Sequence, residues 1–198
     1  MHRVENAVEA TLDESNGLTE LSPTFVERPF GRETRPGSIG LSIPPFKIRI
    51  VDKNDNDVPS GEVGELIVSG DAVMKEYLNK PEATAEALRG GWLHTGDLAR
   101  MDRDGYIYIV DRIKELIIRG GYNIYPREIE EVLYTHPGVL ETAVIGIPHQ
   151  DLGEEVAAAV VVRPGVEVSA DELRQYVRER VAPYKYPRVI RFADELPK

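Results

Sequence analysis

Apolar and polar positions change rhythm twice along this chain. Up to about Gly37 no period is sustained. A short apolar run is interrupted by Glu27-Arg28-Pro29 and Arg35-Pro36-Gly37, so residues 1–38 read as irregular. From Ile39 the period becomes two: Phe46, Ile48 and Ile50 alternate with Lys47 and Arg49, as a strand with one buried face requires. The run Asp52 to Asp57 breaks the alternation and Gly64-Glu65-Leu66-Ile67-Val68 resumes it, which predicts a hairpin. A second pair of strands, Leu98 to Met101 and Tyr106 to Val110, flanks Asp102-Arg103-Asp104-Gly105, whose Asp-Gly step supplies the positive φ of a tight turn. Residues 39–110 are therefore expected to form an antiparallel, barrel-like β-rich subdomain.

Past Asp111 short strands alternate with helical patterns. Leu116 to Ile118 predicts a strand turning at Gly120-Gly121, and Pro126 opens a helix with Glu128, Glu130 and Glu131 near its positive end. Ile129, Val132 and Leu133 form the buried stripe of that helix, and His136-Pro137-Gly138 stops it. Thr142 to Ile147 and Val156 to Val162 predict paired strands around the polar loop His149 to Glu154. Ser169 and Glu172 stand in capping-box spacing at the head of a second helix, which buries Leu173, Tyr176, Val177 and Val181 and ends before Pro183. The fold class is α+β, with the β-rich subdomain over 39–110, a boundary at 111–114 and a small α+β domain over 115–198.

Composition narrows the function classes. The chain of 198 residues is 41% hydrophobic, enough for real cores. Its 24 Lys and Arg against 34 Asp and Glu give a formal charge of -10, and no basic cluster offsets it, so nucleic acid is not an expected partner. No apolar run reaches the length of a membrane span and no basic-then-apolar leader follows Met1, which makes the cytoplasm the default location. Cysteine is absent, which excludes disulfides and thiolate metal sites.

The sharpest candidate chemistry is Gly91-Trp92-Leu93-His94-Thr95-Gly96-Asp97, where a strand-edge glycine followed by Asp presents a carboxylate able to accept two hydroxyl donors, as ribose offers. Taken alone, Asp97 would be a turn residue satisfying its own backbone. The ordinary reading loses ground because Asp111-Arg112-Ile113-Lys114 and then Gly120-Gly121-Tyr122-Asn123-Ile124-Tyr125-Pro126 follow in order at compact spacing.

With these motifs the chain resembles the adenylate-forming superfamily, which includes acyl-CoA and aryl-CoA synthetases, luciferases and peptide-synthetase adenylation domains. The resemblance runs from about Gly17 to Lys198. It implies an enzyme that joins a carboxylic acid to ATP as an acyl-adenylate and then rotates a small C-terminal lid domain so that the thiol of CoA can attack. It implies that Asp97 holds the ribose, that Arg112 contacts the nucleotide, that Lys114 is the hinge, and that Gly120 and Gly121 line the pantetheine path by letting the backbone approach closely. Gly17-Leu18-Thr19-Glu20 resembles the segment in which Thr meets the phosphates and Glu holds magnesium, a cation that needs hard oxygen ligands. The chain departs from the family at Asn16, where an aromatic residue stacks on adenine, and at Glu76, where glycine is usual.

The resemblance also implies that much of the parent lies elsewhere. The family's Ser-, Thr- and Gly-rich phosphate loop belongs far upstream of these motifs. Glu195-Leu196-Pro197-Lys198 resembles the lead-in to its Gly-Lys motif, so Lys198 is not the bridging lysine. The expectation is a C-terminal fragment of an ATP-dependent acyl-CoA synthetase, with medium or long fatty acids as possible substrates. It would lack its N-terminal domain and a complete catalytic set, and would be inactive alone. The alternative from another class is a noncatalytic module that binds a nucleotide, CoA or a protein. Two decoys are set aside: Asp52, Asn54 and Asn56 open like a calcium loop, but Asp57 and Val63 break it, and His2, His94, His136 and His149 lack metal-ligand spacing.

Overall fold

The computed structural model describes residues 15–21, 24–28 and 35–197, and the chain divides into two compact units, Met1–Val110 and Asp111–Lys198. Most of the stretch 1–38, and Lys198, lie outside the described residues.

In the first unit the described part of that stretch is more regular than its pattern suggests. Strands β1 (Ser15–Asn16), β2 (Val26–Glu27) and β3 (Leu41–Ser42) pair antiparallel, and a single 3-10 turn spans Thr19–Leu21. The physical reason is burial: Leu21, Phe25 and Val26 are at most 1% exposed, and three apolar residues at irregular spacing are enough to seat a segment whose period is unreadable. The main sheet follows, with β4 (Lys47–Val51), β5 (Val63–Ser69), β6 (Leu93–Met101) and β7 (Ile107–Arg112) in that order and antiparallel where their registers are resolved. Leu66 and Val68 of β5, Leu93 and Ala99 of β6 and Ile107 of β7 meet in one core with Leu21, Phe25 and Val26. A helix, α1 (Pro81–Ala87), lies between β5 and β6; its brevity and lack of any buried residue explain why the pattern does not announce it.

The barrel-like closure expected from the sequence does not form. The four strands stand in an open row, and β4 does not pair with β7. The outer edge of β7 is taken by Gly40 instead: Ile107 donates to the Gly40 carbonyl at 3.0 Å and Ile39 donates back to Ile107 at 2.9 Å. Gly40 has φ +111, and a Cβ there would collide with the Glu27 carbonyl, so only glycine fits where these strands cross.

The second unit packs two helices on a mixed sheet. Strands β8 (Ile117–Arg119) and β9 (Tyr122–Ile124) form the hairpin whose turn is Gly120-Gly121; helix α2 (Pro126–Tyr134) follows. The long hairpin β10 (Val139–His149) and β11 (Gly153–Val162) leads to α3 (Ala170–Arg178) and then to β12 (Val189–Phe192), which pairs parallel with β11. The expected stripes hold at Ile129, Leu133, Leu173 and Val177, which are buried with Ile117, Val156 and Val160, while Val132, Tyr176 and Val181 are half-buried. Ser169 caps α3 by accepting the Glu172 amide at 3.1 Å, while the Glu172 side chain turns toward His136, 3.4 Å from Nε2, so half of the capping box forms. The expected loop His149 to Glu154 shrinks to the turn Gln150–Leu152, because strand pairing continues through Pro148↔Glu154 and His149↔Gly153 despite their polarity. Strand β12 has only four residues, two of them exposed, and no pattern predicts it.

Candidate functional site

The candidate residues divide between the units. Thr19, Glu20 and Asp97 lie in the first, and Arg112, Lys114, Gly120 and Gly121 in the second.

Thr19 and Glu20 occupy the 3-10 turn anchored by buried Leu21, whose amide donates to Leu18 at 3.0 Å. Thr19 is exposed. Glu20 is held twice: its carbonyl accepts the Met74 amide at 2.7 Å, and its Oε1 accepts the Tyr77 hydroxyl at 2.8 Å. Burial first, and the Glu20 carboxylate second, push the Tyr77 phenol up, which keeps it a proton donor. Tyr77 thus takes one carboxylate oxygen of Glu20, and Oε2 is the atom a cation would use. Among the described residues no cluster of three His, Asp or Glu side chains could hold a metal by itself. This donor set suits magnesium only in the manner that ion favours, one carboxylate with phosphate oxygens and water completing the octahedron.

Asp97 sits within β6, whose pairing with β5 is interrupted. Glu65 faces Leu98 and Ile67 faces His94, so Leu66 alone stands opposite Thr95, Gly96 and Asp97. The extra residues bulge from the ladder, and Gly96 adopts φ +73 to make the turn. A bulge of this kind re-aims a side chain, which a regular strand at this position would not do. The Thr95 hydroxyl donates to the Leu66 carbonyl at 2.7 Å and accepts the Asp97 amide at 3.1 Å. The motif expected at a strand edge is therefore an internal bulge.

In the second unit Asp111 is 5% exposed. Its Oδ1 accepts the Arg112 amide at 2.8 Å and its Oδ2 the Arg127 amide at 3.1 Å. Arg112 and Lys114 are exposed, and Ile113–Glu115 form one 3-10 turn. Lys114 borders, with Glu115, Glu130 and Glu154, a cavity of about 470 Å³. Gly120 and Gly121 both have positive φ, +56 and +85, as a two-residue hairpin turn demands. Gly120 donates to Leu152 at 2.8 Å, and a Cβ on it would press on Leu152, whereas a Cβ on Gly121 would meet nothing within 4 Å.

Several side chains that the motif reading passed over brace this hairpin. Arg119 reaches both oxygens of Glu155 at 2.6 and 2.9 Å, and the Tyr122 ring stacks on Tyr184 at 4.6 Å. Lys185 donates to both oxygens of Glu128, at 2.8 and 2.6 Å, tying the head of α2 to the segment before β12. Burial alone would raise the Glu155 carboxyl, but hydrogen bonds from Arg119 and the Val156 amide outweigh it and hold Glu155 below the usual carboxylate value. The signal that could have found these residues is weak: a charged residue inside an apolar strand, such as Glu155 beside Val156, demands a partner.

Comparison with known proteins decides the family. Residues 1–78 match the description "AMP-binding enzyme" and residues 128–198 match "AMP-binding enzyme C-terminal domain", together most of the chain. The chain belongs to the AMP-binding enzyme family. Among its relatives, a long-chain-fatty-acid–CoA ligase of Bacillus subtilis (strain 168) is 45% identical over 197 residues, covering 99% of this chain and 35% of the relative. A feruloyl-CoA synthase of Amycolatopsis is 46% identical, covering 91% of this chain and 37% of the relative. The chain thus spans about a third of the length of the curated AMP-binding relatives it matches. ATP-bound MatB from Rhodopseudomonas palustris superimposes with a TM-score of 0.90 at 36% identity, covering 96% of this chain and 38% of that one. The O-succinylbenzoate coenzyme A synthetase MenE of Bacillus subtilis, in complex with AMP, gives 0.86 at 36% identity, covering 99% and 40%. These likenesses fix the mixed α+β architecture as that of the C-terminal part of an adenylate-forming enzyme. Among the described residues no helix is long and apolar enough to cross a membrane.

Proposed function

We propose that this chain is the C-terminal part of a cytoplasmic acyl-CoA synthetase that converts a fatty acid, ATP and CoA to acyl-CoA, AMP and pyrophosphate. The observation that carries the proposal is the bulge that turns Asp97 out of the β5–β6 ladder, in a chain 45% identical to a long-chain-fatty-acid–CoA ligase. Asp97 accepts the ribose hydroxyls. Arg112 contacts the nucleotide, Thr19 meets the phosphates, and Glu20 supplies one carboxylate oxygen to magnesium. Lys114 is the hinge, in the boundary 111–114 that precedes the lid, and Gly120 and Gly121 form the wall past which pantetheine reaches the adenylate. The single exposed turn at Ile113–Glu115, directly after a buried and doubly bonded Asp111, supports the hinge assignment, because rotation concentrates where a rigid anchor meets a short unpacked segment.

Alone, the chain holds a ribose contact, a guanidinium contact and one metal ligand. Each solvent-accessible hydrogen bond contributes about 1 kcal/mol and association costs several, so millimolar ATP affinity at best is expected, on the order of -4 kcal/mol. Calorimetric titration with ATP and magnesium, beside a pyrophosphate-release assay with a panel of fatty acids, tests this. The full-length protein should release pyrophosphate only with acid present, and the 198-residue chain should release none. Micromolar ATP binding or acid-dependent turnover by the chain alone would overturn the reading in favour of an autonomous module.

A further inference from the structure

Glu65 has no part in the roles above, yet it is the side chain on which the Asp97 bulge rests. A bulge leaves an amide outside the ladder, and a half-buried amide needs an acceptor. Gly96 donates to Glu65 Oε1 at 3.2 Å. The other oxygen, Oε2, receives His94 Nδ1 at 2.9 Å and Arg89 Nη2 at 3.0 Å. The Glu65 and His94 side chains are 12% and 4% exposed, so the carboxylate is fixed by protein and not by solvent. Behind them stands Asp55, its Oδ1 3.6 Å from the same Arg89 Nη2 and 4.0 Å from His94 Nε2.

We propose that Glu65 is a positioning residue for Asp97: it holds the Gly96 amide, fixes the backbone of the bulge, and so sets where the Asp97 carboxylate stands. One residue on, the Thr95 hydroxyl clamps the Asp97 amide to the Leu66 carbonyl, so the two clamps grip consecutive peptide groups from the same strand, β5. The imidazole and guanidinium keep Glu65 from swinging away, which explains a His placed inside the motif without any metal or catalytic duty. This inference rests on the reading of Asp97 as the ribose ligand.

Two substitutions separate reach from charge. Glu65→Gln keeps the reach of an oxygen acceptor to Gly96 and loses the charge, while Glu65→Asp keeps the charge and loses a methylene of reach. In the full-length protein, positioning predicts that Glu65→Asp raises KM for ATP about tenfold, the loss of one charge-assisted hydrogen bond, with KM for acid and CoA unchanged. Glu65→Gln should stay within about twofold of wild type. In the 198-residue chain the Gly96 amide should exchange with solvent faster in the Asp variant than in the Gln variant. A role confined to the charge pair with Arg89 gives the reverse order and overturns the proposal. If Asp97→Ala leaves KM for ATP unchanged, the ribose reading fails and the positioning role falls with it. If Asp97→Ala raises that KM and Glu65→Asp does not, the ribose reading stands and this inference alone fails. Should Glu65→Asp not fold, His94→Leu, which loosens Glu65 from behind, carries the same test: a rise in KM for ATP alone supports the proposal, and no change overturns it.

Discussion

Asp111 caps a helix that begins beyond its own strand and turn. Its Oδ2 accepts the amide of Arg127, sixteen residues on, in the first turn of α2, and the local N-cap residue, Tyr125, makes no side-chain cap. The boundary of the second unit is thereby fastened to the positive end of its first helix. Asp111→Ala should lower stability by about 1–3 kcal/mol, since it removes the cap and leaves a half-buried amide without its acceptor. Asp111→Asn keeps one acceptor and should cost less. Urea unfolding followed by circular dichroism checks the order, and equal midpoints for wild type and Asp111→Ala would show that the contact carries no stability.

Two carboxylates of the second unit should respond to acid in opposite senses. Burial raises the Glu130 carboxyl, against the hydrogen bond that its Oε1 accepts from Val144 at 2.8 Å, with Asp111 and Glu115 adding to the rise and Arg127 opposing it. Its favourable contribution is therefore present below the unfolded value and lost as pH rises through the folded one. Glu155, held low, contributes above the unfolded value and loses that contribution as pH falls through its folded one. Glu130→Gln retains an acceptor for Val144 and should stabilise the protein near about pH 7 while giving no gain near about pH 4. Thermal unfolding at the two pH values decides it; a gain equal at both would mean that ionisation is not the cause.

Gly121 offers a clean test of the proposed pantetheine wall. A Cβ there meets nothing within 4 Å, so the expected cost of Gly121→Leu is chiefly that of the positive φ, about 1–2 kcal/mol. In the full-length protein Gly121→Leu should leave acyl-adenylate formation largely intact and slow CoA attack by an order of magnitude or more. Unchanged thioester formation would remove Gly121 from the path. Gly120→Leu is the less informative variant, because it also presses on Leu152.

The proposed hinge predicts asymmetry between half-reactions. Lys114→Pro restricts φ in the one exposed turn after the anchored Asp111, and should impair adenylation or thioester formation far more than the other. Single-turnover measurement of each step in the full-length protein distinguishes this from a general loss, in which both steps would fall together with the fold intact.

The chain's own order of residues was enough for what depends on near neighbours. Period two located the main four-stranded sheet of the first unit, and spacings of three and four placed Ile129, Leu133, Leu173 and Val177 in the core of the second. Ser169 declared its cap because a capped amide lies only three residues away. The Gly120-Gly121 turn was recognisable for the same reason, as a compact motif. What the tertiary structure decided was which distant segments meet. Glu65 and Gly96 are 31 residues apart, and Lys185 and Glu128 are 57 apart. Strand register, the β6 bulge, the parallel seat of β12 and the bridge from Gly40 to the outer edge of β7 all follow from pairings whose partners no local period encodes. A residue's propensity acts through its own turn of chain, whereas register and bracing are set by the burial of surfaces brought together only on folding.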